Sequence, residues 1–202
     1  MEEGRAMAGN LEDTGVRRGS RWRIAPWAFA ALLLLLPLVA MQFTDEMAWD
    51  ETDFIVFGAM LAGACGAWEL AARMSGSTAY RAAVAVALAA AFILVWMNLA
   101  VGIIGSEDDP ANLMYGGVLA VAMIGAVLAR FQPHGMARAL AATALAQALA
   151  GAIALIAGWG STGANWPQVI VILTLFFAAL WLGSAYLFRK AAGEQTSAGT
   201  AV

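Results

Sequence analysis

The sequence predicts an all-α membrane protein, a six-transmembrane-helix bundle with both termini cytoplasmic, and three observations predict it. Of its 202 residues 62% are hydrophobic, and the mean hydropathy is +0.74, well above the apolar content of roughly 45–50% usual in a soluble domain. The apolar runs reach the ~18–20 residues that a helix needs to cross a ~30 Å hydrocarbon core, and they lack the alternation of a membrane barrel. Lys and Arg are confined to alternate connections, the pattern that holds those connections in the cytoplasm.

Residues 1–22, polar and rich in charge, are expected to form a disordered cytoplasmic segment ahead of a transmembrane domain over 23–190. The first span, near 25–43, follows Arg17, Arg18, Arg21 and Arg23 and carries Pro37, which predicts a kink. The same order of arginines and apolar residues fits a secretory signal, but this run is long and lacks a small-x-small cleavage site. The second span, near 52–73, opens at Thr52-Asp53 and closes with Glu69 and Arg73, an i,i+4 pair suited to the interface. The third, near 80–105, lies beyond Arg73 and Arg81. The fourth, near 110–131, opens with Asp109 as N-cap and Pro110 at the first helical position. Arg130 and Arg138 flank the turn into the fifth, near 136–159. The sixth, near 166–188, opens at Asn165-Trp166-Pro167 and precedes Arg189 and Lys190. Residues 191–202 are expected to be a disordered cytoplasmic tail.

The stretches Arg23–Arg73, Arg81–Arg130 and Arg138–Arg189 are nearly equal in length, as three repeated helical hairpins would be. Bilayer thickness and arginine placement alone produce the same spacing. Rows of small residues predict close helix packing: Gly58, Ala62 and Gly66 beside Ala59, Gly63 and Ala67, then Gly117, Gly125 and Ala129, then Ala144, Ala148 and Ala152. No ionisable residue falls at mid-depth, which argues against a proton pump. Two uncharged polar residues lie deeper, Gln147 and Asn98. Interhelical hydrogen bonding is the simple reading of both, and a binding role is the sharper reading of Asn98, which lies beneath an acidic connection.

A net charge of −3 without a basic stripe excludes a nucleic-acid binder. Cys65 is the single cysteine and reads as a small buried apolar residue. With one histidine, His134, no zinc or bis-histidine haem site can be assembled, and "GWGSTGAN" at 158–165 lacks phosphate-loop spacing. No cofactor is implied. The anomaly is acid. Asp45, Glu46, Asp50, Glu51 and Asp53 in the first outward connection and Glu107, Asp108 and Asp109 in the second make eight carboxylates with no base. They suit helix starts through the macrodipole, and together they create a negative potential that would concentrate cations or steer a basic partner. The candidate binding set is Asn98, Glu107, Asp108, Asp109, Asn112 and Tyr115, with Asp45, Glu46 and Asp50. Carboxylates with Asn112, Asn165 and loop carbonyls suit a hard cation such as calcium, although no calcium-loop motif is present.

The segment "NLAVGIIGSEDDPANLMYGG" (98–117), with "FTDEMAWDETDF" upstream, resembles a family of short inner-membrane proteins of proteobacteria, over most of residues 40–157. That resemblance implies a polytopic protein of the bacterial inner membrane and brings no activity and no site residues. The leading functional expectation is non-enzymatic: a protein that binds or passes a cation or small polar solute at an acidic outward mouth, alone or as a homo-oligomer. Two alternatives stay open, an accessory subunit of a membrane complex docking a basic partner, and a membrane enzyme using paired outward carboxylates as acid and base.

Overall fold

Every polar backbone group that enters a bilayer must be paired within its own segment or with a neighbouring strand, and this chain meets the demand with helices. The computed structural model describes residues 24–44, 48–163 and 165–199. Among them are helices α1 (Ile24–Ala40), α2 (Glu51–Met74), α3 (Thr78–Ala100), α4 (Leu113–Leu128, led by a 3-10 turn, Pro110–Asn112), α5 (Pro133–Ala157) and α6 (Gln168–Gly199), and no strand. Five of these segments are long and apolar enough to cross a membrane; α1 is shorter. Asp45 and Glu46 lie outside the described residues.

Helix boundaries follow local chemistry. Asp50, rather than Thr52, caps α2: its Oδ1 accepts from the amides of Thr52 and Asp53 at 2.7 and 3.0 Å, while its own N–H donates to Asp53 Oδ2 at 3.0 Å. This reciprocal pairing satisfies orphan donors of the first turn. Helix α3 starts on Ser77, whose hydroxyl accepts from the Tyr80 amide. It stops at Ala100, short of the expected 105, because Gly102 and Gly105 both turn to φ 68°. Helix α4 stops at Leu128, short of 131, where Arg130 and Phe131 take positive φ and Gln132 is extended before Pro133, as a residue preceding proline prefers. Helix α5 starts at Pro133, earlier than expected, and ends on left-handed Gly158.

The tail expected to be disordered from 191 is helical through Gly199. Ala191 is fully buried, Glu194 Oε2 accepts from the Ser77 hydroxyl at 2.9 Å, and Ala, Glu and Gln are good helix formers.

The chain divides into two compact units, one ending at Leu70 and one beginning at Ala71. In the first, Phe57, Leu61 and Cys65 form the buried seam of α2. Cys65 Sγ donates to the Pro26 carbonyl at 3.5 Å, and Trp49 packs edge-on against Phe54 and Phe57. Of the small-residue rows only Gly58 joins that seam, where an added Cβ would lie 3.8 Å from the Leu34 side chain. Ala59, Ala62, Gly63, Gly66 and Ala67 are exposed, because the larger apolar side chains one position away bury more area per contact.

In the second unit α6 is central, with α3 and α5 both packed on it and α4 packed on α5. Helices α3 and α4 touch each other sparingly, so these four helices are not two equivalent self-packed hairpins. Small residues matter where backbones meet. A Cβ on Gly125 would lie 2.7 Å from Ala139 Cβ, one on Gly135 would lie 2.8 Å from Ala129 Cβ, and one on Gly151 would overlap the Thr174 side chain. At the end of the unit away from the acidic connection, Tyr80 packs edge-on against Phe188 at 5.1 Å and donates to the Phe131 carbonyl, and Ser184 donates to the Ala83 carbonyl at 2.7 Å.

Candidate functional site

The acidic connection between α3 and α4 is built around one amide. Asn112 Oδ1 accepts from the Ile103 and Ile104 amides at 3.0 and 2.9 Å, and its Nδ2 donates to the Ile104 and Ser106 carbonyls at 3.1 and 2.7 Å. These bonds fold residues 103–106 back on the helix start. Ile103 and Ile104 become buried, the latter completely. Glycine is required at 102 and 105: both take positive φ, and a Cβ on Gly102 would overlap the Ser106 backbone.

The folded loop abuts the connection between α5 and α6. A Cβ on Gly160, itself at φ 75°, would lie 2.8 Å from the Gly105 nitrogen. Between the two connections is a cleft of about 290 Å³. Gly102 and Gly105 line it from one connection and Gly160 and Gly163 from the other, together with Trp166 and Ile170. The four glycines contribute peptide groups only, and Val101, Ile103, Asn165 and Val169 complete the lining. Trp166 Nε1 is buried and has no acceptor among the described residues. A buried donor without a partner costs ~1–3 kcal/mol, so this N–H is a group for which an added acceptor gains free energy.

The expected site residues are not gathered at this cleft. Glu107 and Asp108 are exposed on the loop, and Asp109 accepts from the Ala111 amide at 2.9 Å as the cap of the 3-10 turn. Asn112 has its amide committed to the loop. Asp50 is exposed and committed to capping α2. Among the described residues no three of His, Cys, Asp and Glu come together in a way that could hold a metal ion. Asn98 is half-buried near the end of α3; its Nδ2 donates to the Leu94 carbonyl at 2.7 Å, while its Oδ1 is buried without a partner among the described residues. Tyr115 is 1% exposed and its hydroxyl also lacks a partner among the described residues.

Two features were not expected from sequence. The glycine-rich "GWGSTGAN" stretch, without phosphate-loop spacing, supplies one wall of the cleft. Trp166, read from sequence only as part of the Asn165-Trp166-Pro167 opening of the sixth span, has the orphan donor. The signal that could have found them is the pairing of glycines at 102 and 105 with glycines at 160 and 163 on connections at the same end of the bundle. Comparison of the chain with family models, with curated proteins and with solved structures finds no match.

Proposed function

We propose that this chain is a six-span protein of the bacterial inner membrane, with cytoplasmic termini and an outward acidic end, that binds a small polar solute in the cleft between the α3–α4 and α5–α6 connections. One observation carries the reading: a cleft lined by four glycines and by Trp166, whose buried indole N–H has no acceptor among the described residues. A pocket of that kind fixes a ligand by a few placed polar groups against an apolar wall. The arginine pattern supports the orientation, since the connections at the acidic end contain no Lys or Arg.

The solute is uncharged rather than a bare cation. No carboxylate lines the cleft, and an ion in a site without a compensating charge is strongly disfavoured. The carboxylates of Glu107 and Asp108 supply a surrounding negative potential instead. An acid–base enzyme would need two carboxylates in opposed environments facing one space, and this cleft offers none. Exposure of Glu107 and Asp108 favours, as a second reading, a surface that docks a basic partner.

The test is a thermal-shift series on the full chain with glycerol, acetamide and calcium as separate probes, comparing wild type with Trp166→Phe. The reading expects an uncharged probe to raise the wild-type melting temperature more than that of the variant, with calcium giving no such difference. Equal shifts in both proteins for every probe would overturn it, and a calcium shift lost in Asp108→Asn and Asp109→Asn would favour the cation.

A further inference from the structure

The end of the second unit away from the cleft carries its cations, and they are not equivalent. Arg81 is committed to backbone: its Nε donates to the Ser75 carbonyl and its Nη2 to the Ala72 carbonyl, both at 3.0 Å. Among the described residues of this unit the one carboxylate at that end, Glu194, accepts from the Ser77 hydroxyl. Arg130, His134 and Arg138, around the turn between α4 and α5, are exposed and make no side-chain hydrogen bond or ion pair with another described residue.

The turn brings these three together. Helix α4 closes with two backbone bonds, from the Phe131 N–H to the Ala126 carbonyl at 3.2 Å and from the Arg130 N–H to the Val127 carbonyl at 2.9 Å. This cap puts the residue that follows it in the left-handed region, and glycine is its usual occupant. Here Arg130 takes φ 49° and Phe131 follows at φ 57°, a region that a Cβ disfavours. Glycine would close the helix at least as well, so the backbone supplies no reason for an arginine at 130; its side chain must. Across the turn Gly135 abuts the residue before Arg130, since a Cβ on it would lie 3.1 Å from Ala129 Cα. His134 is therefore next to Arg130, and Arg138 follows one helical turn on, where Cβ atoms are ~5–6 Å apart. The Tyr80 hydroxyl, donating to the Phe131 carbonyl at 3.0 Å, ties the turn to α3. Met136 and Ala137 between the two α5 cations are buried, so His134 and Arg138 are on the outer stripe of the helix. Deeper on that stripe the exposed residues are Leu145 and Leu149.

We propose that the α4–α5 turn binds the headgroup of an anionic phospholipid, with Arg130, His134 and Arg138 around its phosphate and an acyl chain along Leu145 and Leu149. Basic surfaces at the ends of spanning helices hold such headgroups, and the guanidinium fork matches phosphate oxygens two at a time. A soluble anion would use the cations and leave the leucines unmatched; an amphiphile uses both. The turn is already fixed by its cap and by Tyr80, so binding orders side chains only, which favours affinity. This site is at the opposite end of the unit from the cleft and is independent of the solute reading.

Thermal unfolding of the full chain in a neutral detergent, with phosphatidylglycerol, phosphatidylcholine or inorganic phosphate added separately, tests the proposal. Phosphatidylglycerol should raise the wild-type melting temperature more than phosphatidylcholine does at equal concentration, and inorganic phosphate should not reproduce the difference. Arg130→Gly is the discriminating variant. Glycine suits the left-handed position, so without lipid this protein should melt at or above the wild-type temperature, while the rise specific to phosphatidylglycerol is lost. Arg138→Gln, at an exposed position of α5, should lose it as well. Arg189→Gln removes an exposed cation of the same unit from α6 and should keep it. A wild-type rise no larger with phosphatidylglycerol than with phosphatidylcholine would overturn the proposal, as would a specific rise that survives both Arg130→Gly and Arg138→Gln. Equal loss in Arg189→Gln would replace the site with diffuse attraction to the basic end, and an equal response to inorganic phosphate would replace the lipid with a soluble anion.

Discussion

Asn112 is the residue on which the acidic loop depends. Its amide makes four hydrogen bonds to the backbone of residues 103, 104 and 106, and it is 8% exposed. Asn112→Ala removes all four at once and leaves buried amides and carbonyls unpaired, so it should destabilise the protein by about 2–4 kcal/mol, measured as a fall in thermal or denaturant midpoint in detergent. Asn112→Asp keeps the acceptor for Ile103 and Ile104 but loses both donors and turns a second charge toward Asp109; it should be no milder than alanine. An Asn112→Ala protein with wild-type stability would show that the loop is held by Ile103 and Ile104 burial alone. At the same scale, Asp109 and Pro110 were legible from sequence because capping is a local chemistry of adjacent residues. The commitment of Asn112 was not, since it reaches back across eight to nine residues with no periodicity to mark it.

Among the helices, closeness of approach is set at a few glycines. The α5–α6 contact has Gly151 against Thr174, where any added Cβ would overlap the threonine side chain. Gly151→Val should separate the two helices and cost about 1–3 kcal/mol, as overpacking in a filled interface does. Pairing it with Thr174→Ala should recover part of that loss in a double-mutant cycle; strict additivity would mean that the two positions do not meet. Sequence rows of small residues identified this kind of contact in α4, where Gly125 faces Ala139, yet in α2 only Gly58 of the rows meets a neighbour, Leu34, beside the seam of Phe57, Leu61 and Cys65. The pattern small-xxx-small states that a face can approach closely, and several faces of one helix can carry it. Which face is used depends on the neighbour.

Across the whole chain, a reporter fused after residue 108 should prove active outside the cytoplasm, and one fused after residue 132 should prove cytoplasmic, given the arginines at 130 and 138. A cytoplasmic location for the first would invert the proposed orientation and remove the outward cleft. Helical content, the spanning length of five of the six expected segments and the placement of acidic and basic residues were readable along the chain, because hydropathy, length and charge act on each segment separately. The approximate ends of α2 through α5 followed from the same local terms, with errors where glycine and proline geometry intervened at 102, 105 and 133. The neighbours of each helix and the cleft lined by glycines from two connections exist only when distant segments meet. A fully buried side chain and an exposed one have the same place in a string of letters; what separates them is the packing of α5 on α6 and α4, which no single segment encodes.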